Sequence, residues 1–216
     1  MCGIIYYSMN LPKNGVKYMW PTIIQKDETG KERVYDLPSR LLKDRIVLLA
    51  EEVNTNSAMS VISQLLFLES EDANAPITMY INSPGGSVSD GMAIYDVMNK
   101  VKCPIITVCT GMAASMAAFL LCSGSKGMRY CLPNSCVMIH QPLGGAHGQA
   151  TEIQIVARRI LKLREKMYNI MAKNSGQSFE KIADACERDN YLEPEEALAM
   201  GLIDKIIDCP PKAYEA

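Results

Sequence analysis

Three stretches of this 216-residue chain carry residue types able to break an acyl bond. The first runs Gly111-Met112-Ala113-Ala114-Ser115-Met116-Ala117-Ala118. Small residues on both sides of Ser115 permit a sharp strand-to-helix turn, and a serine at a helix N-terminus lies near free N–H groups that favour an oxyanion. The G-x-S-x-G pattern of a nucleophile elbow is not met, and a structural serine in a close helix contact fits the same residues. The second stretch is Val137 through Gly145, which contains His140. The chain holds only two histidines, so a histidine general base is either His140 or His147. His140 ends an apolar run that can hold an imidazole rigidly. His147, flanked by Gly145, Ala146 and Gly148, reads as solvated and non-catalytic. A hydrogen-bonded core histidine is the other account of His140. The third stretch is Pro84-Gly85-Gly86, where paired glycines let the backbone approach a ligand and aim N–H groups at developing negative charge. A plain tight turn accounts for the same residues. A serine nucleophile needs a base, and the base needs an orienting carboxylate. Nothing in composition selects that carboxylate from 24 acidic residues.

The elements that must position these residues follow from apolar periodicity. Trp20 to Val34 reads as a hairpin around Asp27-Glu28-Thr29-Gly30. Ile46 to Leu49 is a short buried strand, and Asn56 to Glu69 a helix whose apolar set (Met59, Val61, Ile62, Leu65, Leu66, Phe67, Leu68) covers more than one face. Such a helix is deeply buried or lies between subunits. Ile77 to Ile81 is a strand, followed by a helix with Met92, Ile94, Tyr95 and Met98. Ile105 to Cys109 is the next strand, and Gly111 to Leu121 a turn plus a small-residue helix. Met128 to Cys131 and Cys136 to Ile139 are short strands. Ala150 to Lys173 is a long amphipathic helix with Ile153, Val156, Ile160, Leu163, Met167 and Ile170 three or four apart. Two short helices and a strand near Leu202 to Ile207 follow. Alternating strands and helices make the chain α/β with mostly parallel crossovers.

Composition sets the outer bounds. The 22 basic and 24 acidic residues give a net charge of -2, unlike the basic footprint of a nucleic-acid binder. With 48% apolar and 21% charged residues the chain is not disordered. The mild shortage of charge hints at apolar surface covered by partner subunits. The eight cysteines form no CxxC pair and read as small core residues of a reducing compartment. No apolar run reaches the roughly 18 residues of a membrane span, and the N-terminus lacks the features of a signal peptide. Met1-Cys2-Gly3-Ile4 matches the start of glutamine amidotransferases, but nothing downstream supports that chemistry.

Taken together, the stretches resemble ClpP, the proteolytic subunit family of the ATP-dependent Clp protease (peptidase family S14). The resemblance is carried by Tyr80 to Gly86, Ala113 to Met116, Leu132 to Ser135, Val137 to Gly145, Gly148 to Ile153 and Glu187-Arg188-Asp189, in unbroken order from Trp20 to Ile207. It implies a ClpP/crotonase-like α/β fold of repeated β-β-α units with a protruding handle helix. A leader or propeptide at 1–17 would precede a single peptidase domain at 18–216. It further implies Ser115 as nucleophile, His140 as base, Asp189 as the orienting acid, and the Gly86 and Met116 N–H groups as oxyanion hole. Ser87 and Val88 on one side, with Leu143, Gly144 and Gly145 on the other, would flank substrate as an added strand. The implied enzyme is a serine endopeptidase of the bacterial cytoplasm with no cofactor or metal. Its partners would be copies of itself in two stacked heptameric rings, a second ClpP paralogue, polypeptide substrates, and a ClpX-, ClpA- or ClpC-type AAA+ unfoldase of the Hsp100 class that spends the ATP. Neither nucleic acid nor membrane is among them.

Three positions depart from the family pattern. Ala117 stands where a glycine is common and Met112 where a glutamine is common, changes that adjust packing. Lys100 stands where the pocket docking the unfoldase often has an aromatic. Two rival readings share the fold: a catalytically silent ring subunit, and an enoyl-CoA hydratase or isomerase. The Ser, His and Asp set argues against both. A Ser-Lys signal-peptide peptidase would leave His140 unexplained.

Overall fold

Consecutive apolar residues bounded by turn signals build the centre of the molecule, because parallel strands covered on both faces have no polar side to keep. In the computed structural model, which describes residues 20–26 and 29–208, β1 (Thr22–Lys26) and β2 (Glu32–Asp36) form a separate antiparallel hairpin. Its expected tip residues Asp27 and Glu28, the expected leader, Cys2 and Cys209 lie outside the described residues. There follow α1 (Leu37–Lys43), β3 (Ile46–Leu49), α2 (Thr55–Glu71), β4 (Ile77–Ser83), α3 (Val88–Lys100), β5 (Ile105–Ala114), α4 (Met116–Cys122), β6 (Arg129–Cys131) and β7 (Cys136–Ile139). The chain continues through α5 (Ala150–Ser175), α6 (Phe179–Ala185), β8 (Asn190–Leu192), α7 (Pro194–Ala199) and β9 (Lys205–Ile206).

The main sheet runs β3-β4-β5-β6-β9, with β7 joined to β5 and β8 to β7. Every pairing in it is parallel except β7 with β8. This is the expected mixed α/β architecture. Caps define its helices: Asn54 Oδ1 accepts from the N–H groups of Asn56 and Ser57 at 2.9 and 3.1 Å, and Ser57 Oγ accepts from Asn54 N–H at 2.9 Å. That reciprocal capping starts α2.

The structure departs from the sequence reading at several element ends and in the following elements. Residues 110–114 are strand, not turn and helix, because they gain a new partner in β7. Helix α1 escapes periodicity since it buries no residue; Asp36 starts it, accepting from Ser39 N–H at 2.7 Å. Three-residue β8 is too short to show a period. Helix α5 runs two residues past Lys173 and ends at Gly176 in the left-handed conformation.

Helix α4 is buried on all sides, from Met116 to Cys122, each at most 1% exposed. Burying its Phe119, Leu120 and Leu121 contributes about 1.5–3 kcal/mol apiece, which fixes the helix that follows Ser115. In contrast, α5 buries only Met167, Tyr168 and Met171. Its first half projects with Ile153, Ile155 and Leu161 exposed, and α2 leaves Met59, Leu66 and Phe67 exposed.

Candidate active site

The site begins with a defect in the sheet. Ile81 pairs with Cys109 and Ser83 with Ala113, so Asn82 alone faces Thr110, Gly111 and Met112. This bulge re-aims β5, and Asn82 Oδ1 braces it by accepting from Met112 N–H at 3.2 Å. Before the bulge, Thr107 to Cys109 pair with β6; after it, Met112 to Ala114 pair with β7. The strand then stops at Ser115, held at φ 55° and ψ -118°. Besides Arg45 it is the only non-glycine with positive φ among the described residues. Such strain costs on the order of 1–3 kcal/mol. Ser115 N–H donates to Met138 C=O at 2.7 Å, and its own C=O accepts the N–H of Phe119 at 3.1 Å, opening α4.

Strand register brings the other two polar groups to Ser115. The antiparallel ladder of β7 and β8 ends at Ile139 opposite Asn190, so one residue further His140 faces Asp189. His140 Nε2 lies 2.8 Å from Ser115 Oγ, and Nδ1 lies 2.9 Å from Asp189 Oδ1. An ionised carboxylate only accepts, which assigns the Nδ1 proton and leaves Nε2 free to accept from the serine hydroxyl. The His140 side chain is 13% exposed and that of Asp189 63%.

Opposite the serine, Val53 pins the two-glycine turn: Val53 N–H donates to Gly85 C=O and Ser87 N–H to Val53 C=O, each at 2.7 Å. Gly85 and Gly86 have φ of 88° and 144°, and a Cβ on Gly86 would collide with the Val53 carbonyl. Among the described residues, neither Gly86 N–H nor Met116 N–H has a hydrogen-bond partner. A cavity of about 230 Å³ opens here, lined by Gly86, Val88, Ser115, His140 and Leu143, with Met167, Tyr168 and Met171 as an apolar wall.

The sequence-derived set is thus gathered unevenly. Ser115, His140, Asp189, Gly86, Met116, Val88 and Leu143 come together. Ser87 turns to cap α3, its Oγ accepting from Asp90 N–H at 3.3 Å. Gly144 packs against Ile160 of α5, and Gly145 has open space around it. The α5 wall was not anticipated, since Met167 belongs to an apolar seam that reads alike whether it meets core or cavity.

No described cysteine lines this cavity. All six described cysteines are free and five are buried; burial pushes Cys122 up to about 11 and Cys186 up to about 12, so both stay neutral at pH 7. Among the described residues, no three His, Cys, Asp or Glu side chains are grouped to hold a metal ion. A hydroxyl relieved of its proton beside two unengaged N–H groups is equipped for attack on a carbonyl.

A model of the Clp protease family matches residues 29–210. The chain belongs to the Clp protease family. As a Clp protease it is a peptidase of the ClpP type, and the mixed α/β fold with its mostly parallel sheet agrees with that membership. The match spans every element from β2 to β9. Among the described residues of this Clp protease, no helix is long and apolar enough to cross a membrane.

Proposed function

We propose that this ClpP-type peptidase is a serine endopeptidase that cleaves unfolded polypeptides inside a chamber built from copies of itself. Ser115 Oγ attacks the scissile carbonyl while His140 Nε2 takes its proton, and Asp189 orients the ring and stabilises the imidazolium. The tetrahedral oxyanion is met by the N–H groups of Gly86 and Met116. His140 returns the proton to the leaving amine; water then hydrolyses the acyl-Ser115 ester by the same relay. Substrate lies extended between Val88 and Leu143, its side chain entering the wall of Met167, Tyr168 and Met171.

The observation that carries this reading is the unbroken hydrogen-bonded chain from Ser115 through His140 to Asp189, at 2.8 and 2.9 Å. Exposed apolar faces on α2 and the projecting half of α5 support assembly into stacked rings, where they would be covered. An Hsp100-class unfoldase is the proposed source of unfolded substrate and of ATP hydrolysis, and this chain itself needs no cofactor. The assembled protein is expected to hydrolyse short fluorogenic peptides and to label with a fluorophosphonate. Ser115→Ala should lose both, with kcat down by about 10⁶-fold. An assembled wild-type protein that never reacts with the probe overturns the proposal.

A further inference from the structure

Asp189 is the least sheltered group of the chain it ends, with 63% of its side chain exposed. It stands in the short connection between Ala185, the last residue of α6, and Asn190, the first of β8. A carboxylate on such a turn has many solvated rotamers, and a single bond to an imidazole is a weak restraint on the backbone beneath it. Two further side chains hold that backbone. Asn190 Nδ2 donates to Ala185 C=O at 3.1 Å, bracing the turn across its own base. Gln141 Nε2 donates to Glu187 C=O at 3.1 Å, reaching from the residue after His140 to the residue two before Asp189.

The placement of the Gln141 bond is what matters. The β7–β8 ladder stops at Ile139 and Asn190, so no backbone pairing holds the two segments together beyond that point. The pair of His140 and Asp189 lies between that last ladder rung and the Gln141 bond to Glu187. Gln141 does not line the substrate cavity, and so has no direct access to the reacting atoms. We propose that Gln141 is a positioning residue, whose tie to Glu187 sets the separation of the base and acid segments and so keeps Asp189 within bonding distance of His140. This rests on the assignment of His140 and Asp189 above, and names a contributor outside it.

The test is a double-mutant cycle in the full-length assembled protein, with a fluorogenic peptide as substrate. Gln141→Met keeps length but removes the donor. Gln141→Glu keeps shape and removes the donor too, so it replaces the first variant should that one fail to assemble. Either is expected to lower kcat about tenfold, as a small misplacement of catalytic groups does, with KM unchanged. In an Asp189→Asn background the same change should cost less than about twofold, because a residue acting through Asp189 has nothing left to position. Wild-type kcat in both Gln141 variants overturns the inference. So does a full tenfold loss on top of Asp189→Asn, which would place the effect elsewhere. Full kcat in Asp189→Asn alone overturns the acid assignment, and the inference with it.

Discussion

Gly85 and Ser115 are packed so closely that a Cβ on the glycine would stand 2.8 Å from the serine Cβ, and 2.5 Å from the carbonyl oxygen of Ala114. The two-glycine turn and the strained serine are therefore one unit: neither segment can move without displacing the other. The same Cβ would also stand 2.9 Å from the backbone nitrogen of Met116, the first residue of the buried helix α4. Position 85 can carry no side chain if the serine is to keep its φ of 55°.

Gly85→Ala should therefore silence the site from outside the hydrogen-bonded chain. The added methyl meets backbone atoms, and the φ of 88° is unfavourable for alanine. A stability loss of about 1–3 kcal/mol is expected, with kcat falling at least about 100-fold. Peptide hydrolysis with thermal unfolding of the same preparation checks this, and near-normal turnover would contradict it.

The wall formed by Met167, Tyr168 and Met171 should set the preference for the side chain next to the cut. An apolar wall desolvates its occupant, so large apolar residues are expected there, and acidic ones are disfavoured. Met171→Lys should raise kcat/KM for an acidic residue relative to leucine by about tenfold or more, as a single pocket contact is worth roughly 1–3 kcal/mol. A fluorogenic peptide series measures it.

Arg129 and Asp204 form a bidentate pair at 2.8 and 2.6 Å, with Arg129 only 5% exposed. Burial pushes the Asp204 carboxyl up, but the Arg129 hydrogen bonds and charge outweigh it and hold the group below its ordinary value. A carboxyl depressed in the folded state adds stability above its unfolded value of about 3.9, and that stability is lost as pH falls through the folded value. Asp204→Asn should thus be less stable than wild type by about 3 kcal/mol at pH 7, since it leaves a buried guanidinium without its counter-charge. The gap should narrow below about pH 4. Urea unfolding at both pH values tests the sign.

Lys100 is exposed in the last turn of α3. If the proposed unfoldase docks a loop at this surface, an ammonium there costs desolvation, so Lys100→Phe should tighten that association. A light-scattering titration with an Hsp100-class unfoldase reads the change, and unchanged affinity would rule the effect out.

Local chemistry made much of this protein legible in its sequence. Small residues around Ser115 announce a tight strand-to-helix turn, paired glycines announce a close backbone approach, and an apolar run ending in His140 announces a rigid imidazole. Each signal lies within a few neighbouring residues, because backbone sterics and burial act locally. The same is true of α2, α3 and α5, whose periods are long enough to count. What the residues alone left open depends on register. Asp189 is distinguished from the other acids of the chain only because β7 and β8 run antiparallel with Ile139 opposite Asn190, and family resemblance, not side-chain chemistry, pointed to it beforehand. The bulge opposite Asn82, which moves β5 from β6 to β7, comes from pairing between segments distant in the chain. The wall of Met167, Tyr168 and Met171 is an ordinary helical seam until the fold leaves a cavity beside it. Sequence by itself thus determined which side chains could react and which elements carry them. Tertiary structure decided their mutual distances, because those follow from long-range strand pairing that no local pattern encodes.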